Sequence, residues 1–186
     1  MIKKKGKGDD ALDFSILYAI QNLHCAFLDK SVLILTQIAG SYGQLWPIIA
    51  VFLLVFKKTR KCGFAMLLSY ALVFLTCQLG LKDLIARQRP CQIDQTVQLL
   101  VSRPTSYSCP STHTAWAFAA AASVFMYHKK FGILTGIIAL LIGFSRLYLF
   151  VHFPTDVLFG AVLGIGFGVV GALIVNLIAK KKKQKA

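Results

Sequence analysis

"VLFGAVLGIGFGVVGALIVNLIA", residues 157–179, runs for 23 positions without a charged side chain. A helix of roughly 20 residues crosses the hydrocarbon core of a bilayer, so this stretch predicts a transmembrane helix. Residues 31–56 and 62–81 form two further uncharged runs of similar length, and shorter apolar runs at 114–127 and 131–145 need their flanks to cross. We therefore predict an all-α integral membrane protein with about six transmembrane helices.

The composition supports one membrane domain over residues 1–186. The chain is 56% hydrophobic, and its mean hydropathy of +0.66 is too high for an ordinary soluble domain. We find no internal repeat and no separate soluble domain. The one long polar excursion begins at Lys82 and leads to an external loop predicted over residues 82–110.

The net charge of +14 would suit either a nucleic acid or a membrane surface, so the location of the charges decides. Fifteen of the 21 basic residues fall in four clusters, all at the ends of apolar segments: 3–7, 57–61, 129–130 and 180–185. Cytoplasmic loops of membrane proteins carry this excess of Lys and Arg. We predict a multi-pass protein of the cell membrane and no nucleic-acid partner.

Placing all four clusters in the cytoplasm orders the chain. Residues 82–110 and 146–156 then meet at the outer face, and the basic tail, residues 180–186, is cytoplasmic. A single helix over residues 31–56 would send the Lys-rich N-terminus outside, whereas a break at residues 39–43 keeps it inside. We predict the break, a first span starting near Leu23, and a cytoplasmic or interfacial N-terminus over residues 1–22, with an interfacial helix over 12–22.

Polar and ionisable residues are costly at membrane depth, so their clustering indicates a functional site. Three groups meet at the predicted outer face. They are Lys82, Arg87 and Arg89; Ser111, Thr112 and His113; and Arg146, His152 and Asp156. Taken singly, such residues also serve as interfacial anchors, helix caps or a structural His–Asp pair. Their convergence favours a site.

The second group predicts a phosphate site at a helix start. Pro is favoured in the first turn of a helix, so we expect a helix to begin at Pro110. Ser111, Thr112 and His113 then lie among free backbone N–H groups, where anions bind. The guanidinium of Arg146 can grip phosphate oxygens bidentately.

The third group predicts a nucleophile. If Pro154 takes the first helical position, Asp156 takes the third, from which its side chain reaches back over the helix start. The carboxylate can keep one imidazole nitrogen of His152 protonated and leave the other as a lone pair. His113, on another helix, is then free to protonate a leaving oxygen.

These groups resemble the motifs of the type 2 phosphatidic acid phosphatases, membrane lipid phosphatases related to the vanadium haloperoxidases. Each motif keeps the family's spacing: Lys82, Arg89 and Pro90 for Lys-x6-Arg-Pro; Pro110, Ser111 and His113 for Pro-Ser-Gly-His; and Ser145, Arg146, His152 and Asp156 for Ser-Arg-x5-His-x3-Asp. Thr112 replaces the glycine of the pattern. This keeps the backbone donor but adds bulk beside the leaving group, which bears on substrate fit.

The resemblance implies a metal-independent lipid phosphate phosphatase with a phosphohistidine intermediate. His152 would attack phosphorus, Asp156 would orient it, and His113 would protonate the leaving group. The phosphate oxygens would be held by Lys82, Arg89, Ser111, Arg146 and the Thr112 amide, with Arg87 as an accessory contact. No metal and no cofactor is implied, and acidic residues near the site are too sparse for a two-metal centre.

The substrate class is a lipid phosphate whose headgroup reaches the outer leaflet. We expect an isoprenoid diphosphate such as undecaprenyl diphosphate first and phosphatidylglycerol phosphate second, with phosphatidic acid or lipid A phosphate behind them. Two alternatives use the same residues: a phosphotransferase that passes the phosphoryl group from His152 to another lipid, and a non-catalytic anion transporter or phospholipid-binding scaffold. Cys91 and Cys109 flank the external loop and could form a disulfide or stay as thiols.

Overall fold

A computed structural model describes residues 8–40 and 43–184, and the described residues form helices and loops without a strand. The basic cluster at residues 3–7 and Lys185 lie outside the described residues. The elements in chain order are α1 (Gly8–Gln21), α2 (Ala26–Ala39), α3 (Leu45–Val55), α4 (Arg60–Val73), a π-helical segment (Phe74–Leu81), α5 (Lys82–Ile85), α6 (Pro90–Ile93), α7 (Thr112–Tyr127), α8 (Lys129–Tyr148) and α9 (Pro154–Gln184).

The all-α membrane architecture predicted from the sequence is confirmed. Three helical stretches are long and apolar enough to cross a membrane: Arg60–Ile93, Lys129–Tyr148 and Pro154–Lys182. The pair Ala11–Gln21 and Ala26–Ala39, bent by 115°, would count as a fourth if it formed one span. The number of six spans is not confirmed, because α3 and α7 are shorter than the roughly 20 residues that cross a bilayer and both ends of α2 contact the same end of the bundle.

The helix α7 packs against α4, α8 and α9 and forms the centre of the core. Its sequence allows this, because half of its buried residues are alanines, which leave room for neighbours on several sides. The larger Trp116 is buried there too and stacks on Tyr70, with ring centroids 5.2 Å apart. Around α7 the core therefore combines small residues with this aromatic pair.

Three glycines of α9, spaced four residues apart, let the backbone of α7 and its N-cap approach closely. A Cβ atom added at any of them would lie 2.3–2.5 Å from a carbonyl oxygen, closer than side chains tolerate: Gly160 on Ser111, Gly164 on Ala115 and Gly168 on Ala119. This glycine face therefore accepts a neighbouring helix at close range.

One end of the bundle, here called the polar end, carries Lys82, Thr112, Arg146 and Pro154. The chain reaches Lys82 through the eight-residue π-helical segment, and such wide helical turns are frequent at functional sites. The helices α4 and α8 begin, and α9 finishes, at the opposite end. The described basic residues of clusters 57–61, 129–130 and 180–182 therefore lie far from the polar end.

The helix α1 lies at the polar end, which corrects one sequence-based expectation. A helix is present where an interfacial one was predicted over residues 12–22. The Asp13 carboxylate, however, accepts hydrogen bonds from Arg87 (2.8 Å) and the Thr155 hydroxyl (2.6 Å), and Gln21 donates to the Tyr148 carbonyl (3.0 Å). Residues 11–21 thus share an end with the motif residues, rather than lying across the membrane from them.

The helix α2 also departs from the prediction of a first span starting near Leu23. Near its start, Asp29 accepts from the Tyr148 hydroxyl (2.7 Å), and at its end the Gly40 carbonyl accepts from His113 (3.1 Å). A spanning helix would have its ends at opposite faces, whereas both contacts lie at the polar end. The predicted break at residues 39–43 is confirmed, because α2 ends at Ala39 and α3 begins at Leu45.

Candidate active site

A cavity of about 670 Å³ opens at the polar end and gathers most of the predicted site residues. Three cations line it, and each of their side chains is at most 5% exposed: Lys82, Arg89 and Arg146. Thr112, His113 and His152 complete the set of motif residues in its wall. A concave site with three cations that bulk water hardly reaches selects an anionic ligand.

Arg89 sits directly before α6 and is held by four acceptors. Its Nε donates to the Ser106 carbonyl (2.7 Å), and its Nη2 to the Ser106 hydroxyl (3.0 Å). Its Nη1 donates to the Val151 carbonyl (2.8 Å) and also lies 3.1 Å from Nε2 of His152. The guanidinium thereby joins the loop after α6 to the segment before α9.

The hydrogen bond from Arg89 fixes the protonation of His152. A guanidinium only donates, so Nε2 must be a lone pair and Nδ1 must carry the ring proton. Burial, followed by the positive charge of Arg89, lowers the pKa of His152 below its ordinary value, which keeps the ring neutral at pH 7. His152 therefore presents an unprotonated Nε2 toward the cations of the cavity, as a nucleophile requires.

Asp156 is fully buried in the first turn of α9, which begins at Pro154 as predicted. Its Oδ2 accepts from the Phe153 backbone N–H (2.9 Å) and from the Ser108 hydroxyl (2.5 Å). The distance from Nδ1 of His152 to Oδ2 is 3.8 Å, longer than a hydrogen bond. The reach back over the helix start is as expected, but the contact with His152 is not direct.

The second motif group lies at the start of α7, although that helix begins at Thr112 rather than at Pro110. Pro110 follows Cys109 through a cis peptide bond, and Ser111 is the N-cap of α7. The Ser111 backbone N–H donates to the Asp156 carbonyl (3.1 Å), and its hydroxyl pairs with that of Thr114 (2.9 Å). The hydrogen bond from Ser111 to Asp156 ties the start of α7 to the start of α9.

The remaining predicted residues divide between the cavity and its surroundings. Arg146 donates to the Thr36 hydroxyl of α2 (2.6 Å), and Nε2 of His113 donates to the Gly40 carbonyl at the end of α2. The helix α2 therefore forms one wall of the cavity. Arg87 does not reach the cavity. It donates from Nη1 to Oδ1 of Asp156 (2.7 Å) and from Nη2 to Asp13 (2.8 Å). Its position suits holding the carboxylate rather than contacting phosphate.

Sequence reasoning missed several residues that the fold brings to this site. Thr36 and Gln37 of α2 and Gln78 of the π-helical segment line the cavity, and Ser108 lies 3.4 Å from Nδ1 of His152. Gln78 precedes Lys82 by four positions, which was a helical-spacing signal. Isolated polar residues such as Ser108 carry no spacing pattern and depend on the tertiary structure.

Cys91 and Cys109 are both free thiols in the structure. Within the described ranges 8–40 and 43–184, His, Cys, Asp and Glu side chains do not gather in a group of three able to hold a metal ion. Among the described residues, the groups that line the cavity include three cations and two histidines.

Known proteins resemble this chain over most of its length. The model of the PAP2 superfamily matches residues 59–180. An undecaprenyl-diphosphatase from Sulfolobus acidocaldarius is 31% identical over 84% of this chain and 76% of that protein. Phosphatidylglycerophosphatase B of Bacillus subtilis is 34% identical over 68% of this chain and 65% of that protein. The crystal structure of a transmembrane PAP2 type phosphatidylglycerolphosphate phosphatase from Bacillus subtilis superposes with a TM-score of 0.71 at 30% identity, covering 95% of this chain and 88% of that one.

Proposed function

The chain belongs to the PAP2 superfamily, and from this premise we propose that it removes phosphate from a membrane lipid through a phosphohistidine on His152. The observation that carries the proposal is the unprotonated Nε2 of His152, held 3.1 Å from Arg89 in a cavity that Lys82 and Arg146 also line. A nucleophile and the cations that would hold its phosphate target share one buried site. Such preorganised charge is worth most where water is excluded.

The proposed reaction has two steps. Nε2 of His152 forms a bond to phosphorus while the bond from phosphorus to the leaving-group oxygen breaks, and His113 gives that oxygen a proton. The leaving group is the lipid monophosphate for a diphosphate substrate and the lipid alcohol for a monophosphate. Arg89 would turn its N–H from Nε2 to a phosphate oxygen as the lipid phosphate enters. Water then attacks the phosphorus atom, the bond from Nε2 to phosphorus breaks, His113 takes a proton from the water, and inorganic phosphate leaves. No metal takes part in this scheme.

We propose an isoprenoid diphosphate or phosphatidylglycerol phosphate as the substrate. Two relatives support this choice, since one is named as an undecaprenyl-diphosphatase and the other as a phosphatidylglycerophosphatase. The cavity of about 670 Å³ is large enough for a phosphorylated headgroup. The apolar tail would stay in lipid beside the helices.

We propose that the polar end faces the cell exterior. The described basic residues of clusters 57–61, 129–130 and 180–182 lie at the opposite end, which the positive-inside rule assigns to the cytoplasm. On this orientation the C-terminal tail is cytoplasmic, and α1 lies on the outer surface with the site. A cysteine introduced at exposed Leu12 should react with an impermeant reagent added to intact cells, and protection of that cysteine would reverse the orientation.

The test of function is phosphate release by the detergent-purified protein in excess EDTA. Undecaprenyl diphosphate, phosphatidylglycerol phosphate and phosphatidic acid are compared for the wild type, His152→Ala and the control His128→Ala, which removes a histidine at the opposite end of α7. We expect release by the wild type and the control and none by His152→Ala. A phosphorylated protein labile to acid and stable to base should accumulate in rapid-quench samples.

Each alternative outcome would indicate a different mechanism or function. Loss of activity in EDTA would contradict metal independence. Retention of activity by His152→Ala would remove the phosphohistidine mechanism. Label transfer from the lipid phosphate to a second lipid, at the expense of free phosphate, would indicate a phosphotransferase. Lipid binding without turnover, lost on Arg146→Ala and kept on His152→Ala, would indicate a transporter or scaffold.

A further inference from the structure

The contact between His152 and Asp156 passes through a third side chain. The direct distance from Nδ1 to Oδ2 is 3.8 Å. The Ser108 hydroxyl fills the gap, 3.4 Å from Nδ1 and 2.5 Å from Oδ2 of Asp156. We propose that Ser108 is a positioning residue that couples the carboxylate of Asp156 to the imidazole of His152. The proposal rests on the proposed function, because it assigns a role within that reaction.

The hydrogen bonds that link Arg89, His152, Ser108 and Asp156 can all be satisfied with only one assignment of donors and acceptors. Arg89 donates to Nε2 of His152, so Nδ1 bears the proton and faces the Ser108 oxygen. An ionised carboxylate only accepts, so the Ser108 hydroxyl must give its own proton to Asp156. Its oxygen is then left with lone pairs for Nδ1–H. The order Arg89, His152, Ser108, Asp156 therefore satisfies each hydrogen-bonding group.

The surroundings hold Ser108 in this position. It is 0% exposed, so water does not compete for its hydroxyl. Its backbone N–H donates to the Arg87 carbonyl (2.8 Å), while the Arg87 guanidinium donates to the other oxygen of Asp156 (2.7 Å). Arg87 thus fixes the hydroxyl through its backbone and the carboxylate through its side chain. A hydroxyl fixed at both ends of its hydrogen bonds is suited to orienting the ring.

The consequence for catalysis lies in the attacking step. When Nε2 forms its bond to phosphorus, the imidazole becomes cationic, and its Nδ1–H becomes a stronger donor. The oriented hydroxyl and the carboxylate behind it stabilise that charge, and no proton needs to leave Nδ1. Without the hydroxyl, Nδ1–H faces a carboxylate beyond hydrogen-bond distance. The attacking tautomer is then less favoured, and phosphoenzyme formation should slow.

The test compares Ser108→Ala with a matched control in the full-length protein. Ser123 of α7 is also a buried serine and is hydrogen-bonded to Ser69 of α4 and Gly168 of α9, but it lies away from the cavity. We expect Ser108→Ala to lower kcat and the rate of phosphohistidine formation about ten- to a hundredfold, the range typical for removing an orienting partner. KM should change less than about threefold, because the three cavity cations remain. Ser123→Ala should keep wild-type kinetics, and Ser108→Thr, which keeps the hydroxyl, should recover most of the rate.

A double-mutant cycle separates coupling from packing. If Ser108 acts through Asp156, Ser108→Ala should cost less than about threefold when Asp156 is already Asn. Effects that multiply in the double variant, or a Ser108→Ala protein within threefold of the wild type, would overturn the inference. A wild type that neither forms a phosphoenzyme nor releases phosphate would overturn the proposed function, and the Ser108 inference with it.

Discussion

Adding a methyl group at Gly160 should slow the reaction by moving the start of α7 away from the start of α9. A Cβ at this position would lie 2.5 Å from the Ser111 carbonyl oxygen. The nearest side-chain contacts in proteins begin at 3.0–3.4 Å, so the two helix starts must separate by about 0.5–0.9 Å. Gly160 lies one helical turn after Asp156, and Ser111 lies beside Thr112 and His113. The displacement therefore falls between the two halves of the site.

The expected loss follows from that displacement. A shift of roughly 1 Å in a catalytic arrangement can cost about a hundredfold in rate, so we expect kcat/KM of Gly160→Ala to fall by about ten- to a hundredfold. Overpacking of this kind costs about 1–3 kcal/mol of stability. Because the variant keeps each functional side chain, the loss would report geometry and not chemistry.

Two other glycines of α9 provide the controls. An added Cβ at Gly166 meets nothing within 4 Å, so Gly166→Ala should match the wild type in activity and thermal stability. A Cβ at Gly168 would lie 2.5 Å from the Ala119 carbonyl, the same overlap as at Gly160 but two turns further from the site. Gly168→Ala should therefore lose stability like Gly160→Ala but lose less activity. The assays are phosphate release and the unfolding midpoint in detergent. Equal activity of Gly160→Ala and Gly166→Ala would refute the link between helix separation and rate.

Three further predictions concern the charges and protons around the site. Asp13→Asn should lower kcat by about tenfold with little change in KM, because Asp13 holds the Arg87 guanidinium that binds Asp156. A rate equal to that of the wild type would show that α1 does not affect the site. Burial and the positive charge of Arg89 lower the pKa of His152, so kcat/KM should stay constant as the pH falls through about 6.5, the usual histidine pKa, and decline only at lower pH. A decline of kcat/KM centred at about 6.5 would contradict the lowered pKa. His113→Ala should lose far more activity on a lipid phosphate than on p-nitrophenyl phosphate, whose leaving group needs no proton, and equal losses on both would exclude a general-acid role.

The parts of the site that the sequence predicted are those encoded by spacing. Pro154 and Asp156 stand at the first and third positions of a helix start, and this local pattern fixes where the carboxylate points whatever surrounds it. The glycine repeat of α9 is also a local pattern, because only small residues permit the close approach of α7. The convergence of Lys82, Thr112 and Arg146 on one cavity followed from placing helix ends on one side of the membrane.

The parts that the sequence did not predict depend on contacts between distant residues. Hydropathy marks α2 as apolar but cannot distinguish a helix that crosses the bilayer from one that lies across the polar end. The contacts of Asp29 and Thr36 with α8 place α2 at the polar end. A guanidinium pairs equally well with phosphate and carboxylate, so Arg87 could be assigned only once Asp13 and Asp156 were found on either side of it.

The charges around Asp156 explain why the N-terminal helix belongs to the site. The cations that would hold the phosphate also oppose the positive charge that His152 acquires on attack, so a buried carboxylate is needed to offset that charge. A carboxylate bound by Arg87 alone would have much of its charge neutralised and would serve His152 poorly. Asp13, which is buried and lies 2.8 Å from the same guanidinium, shares that neutralisation. In the proposed mechanism α1, which contains none of the three motifs, would therefore set the charge available to His152. Truncating α1 should slow the attack on phosphorus while leaving Lys82, Arg89 and Arg146 in place.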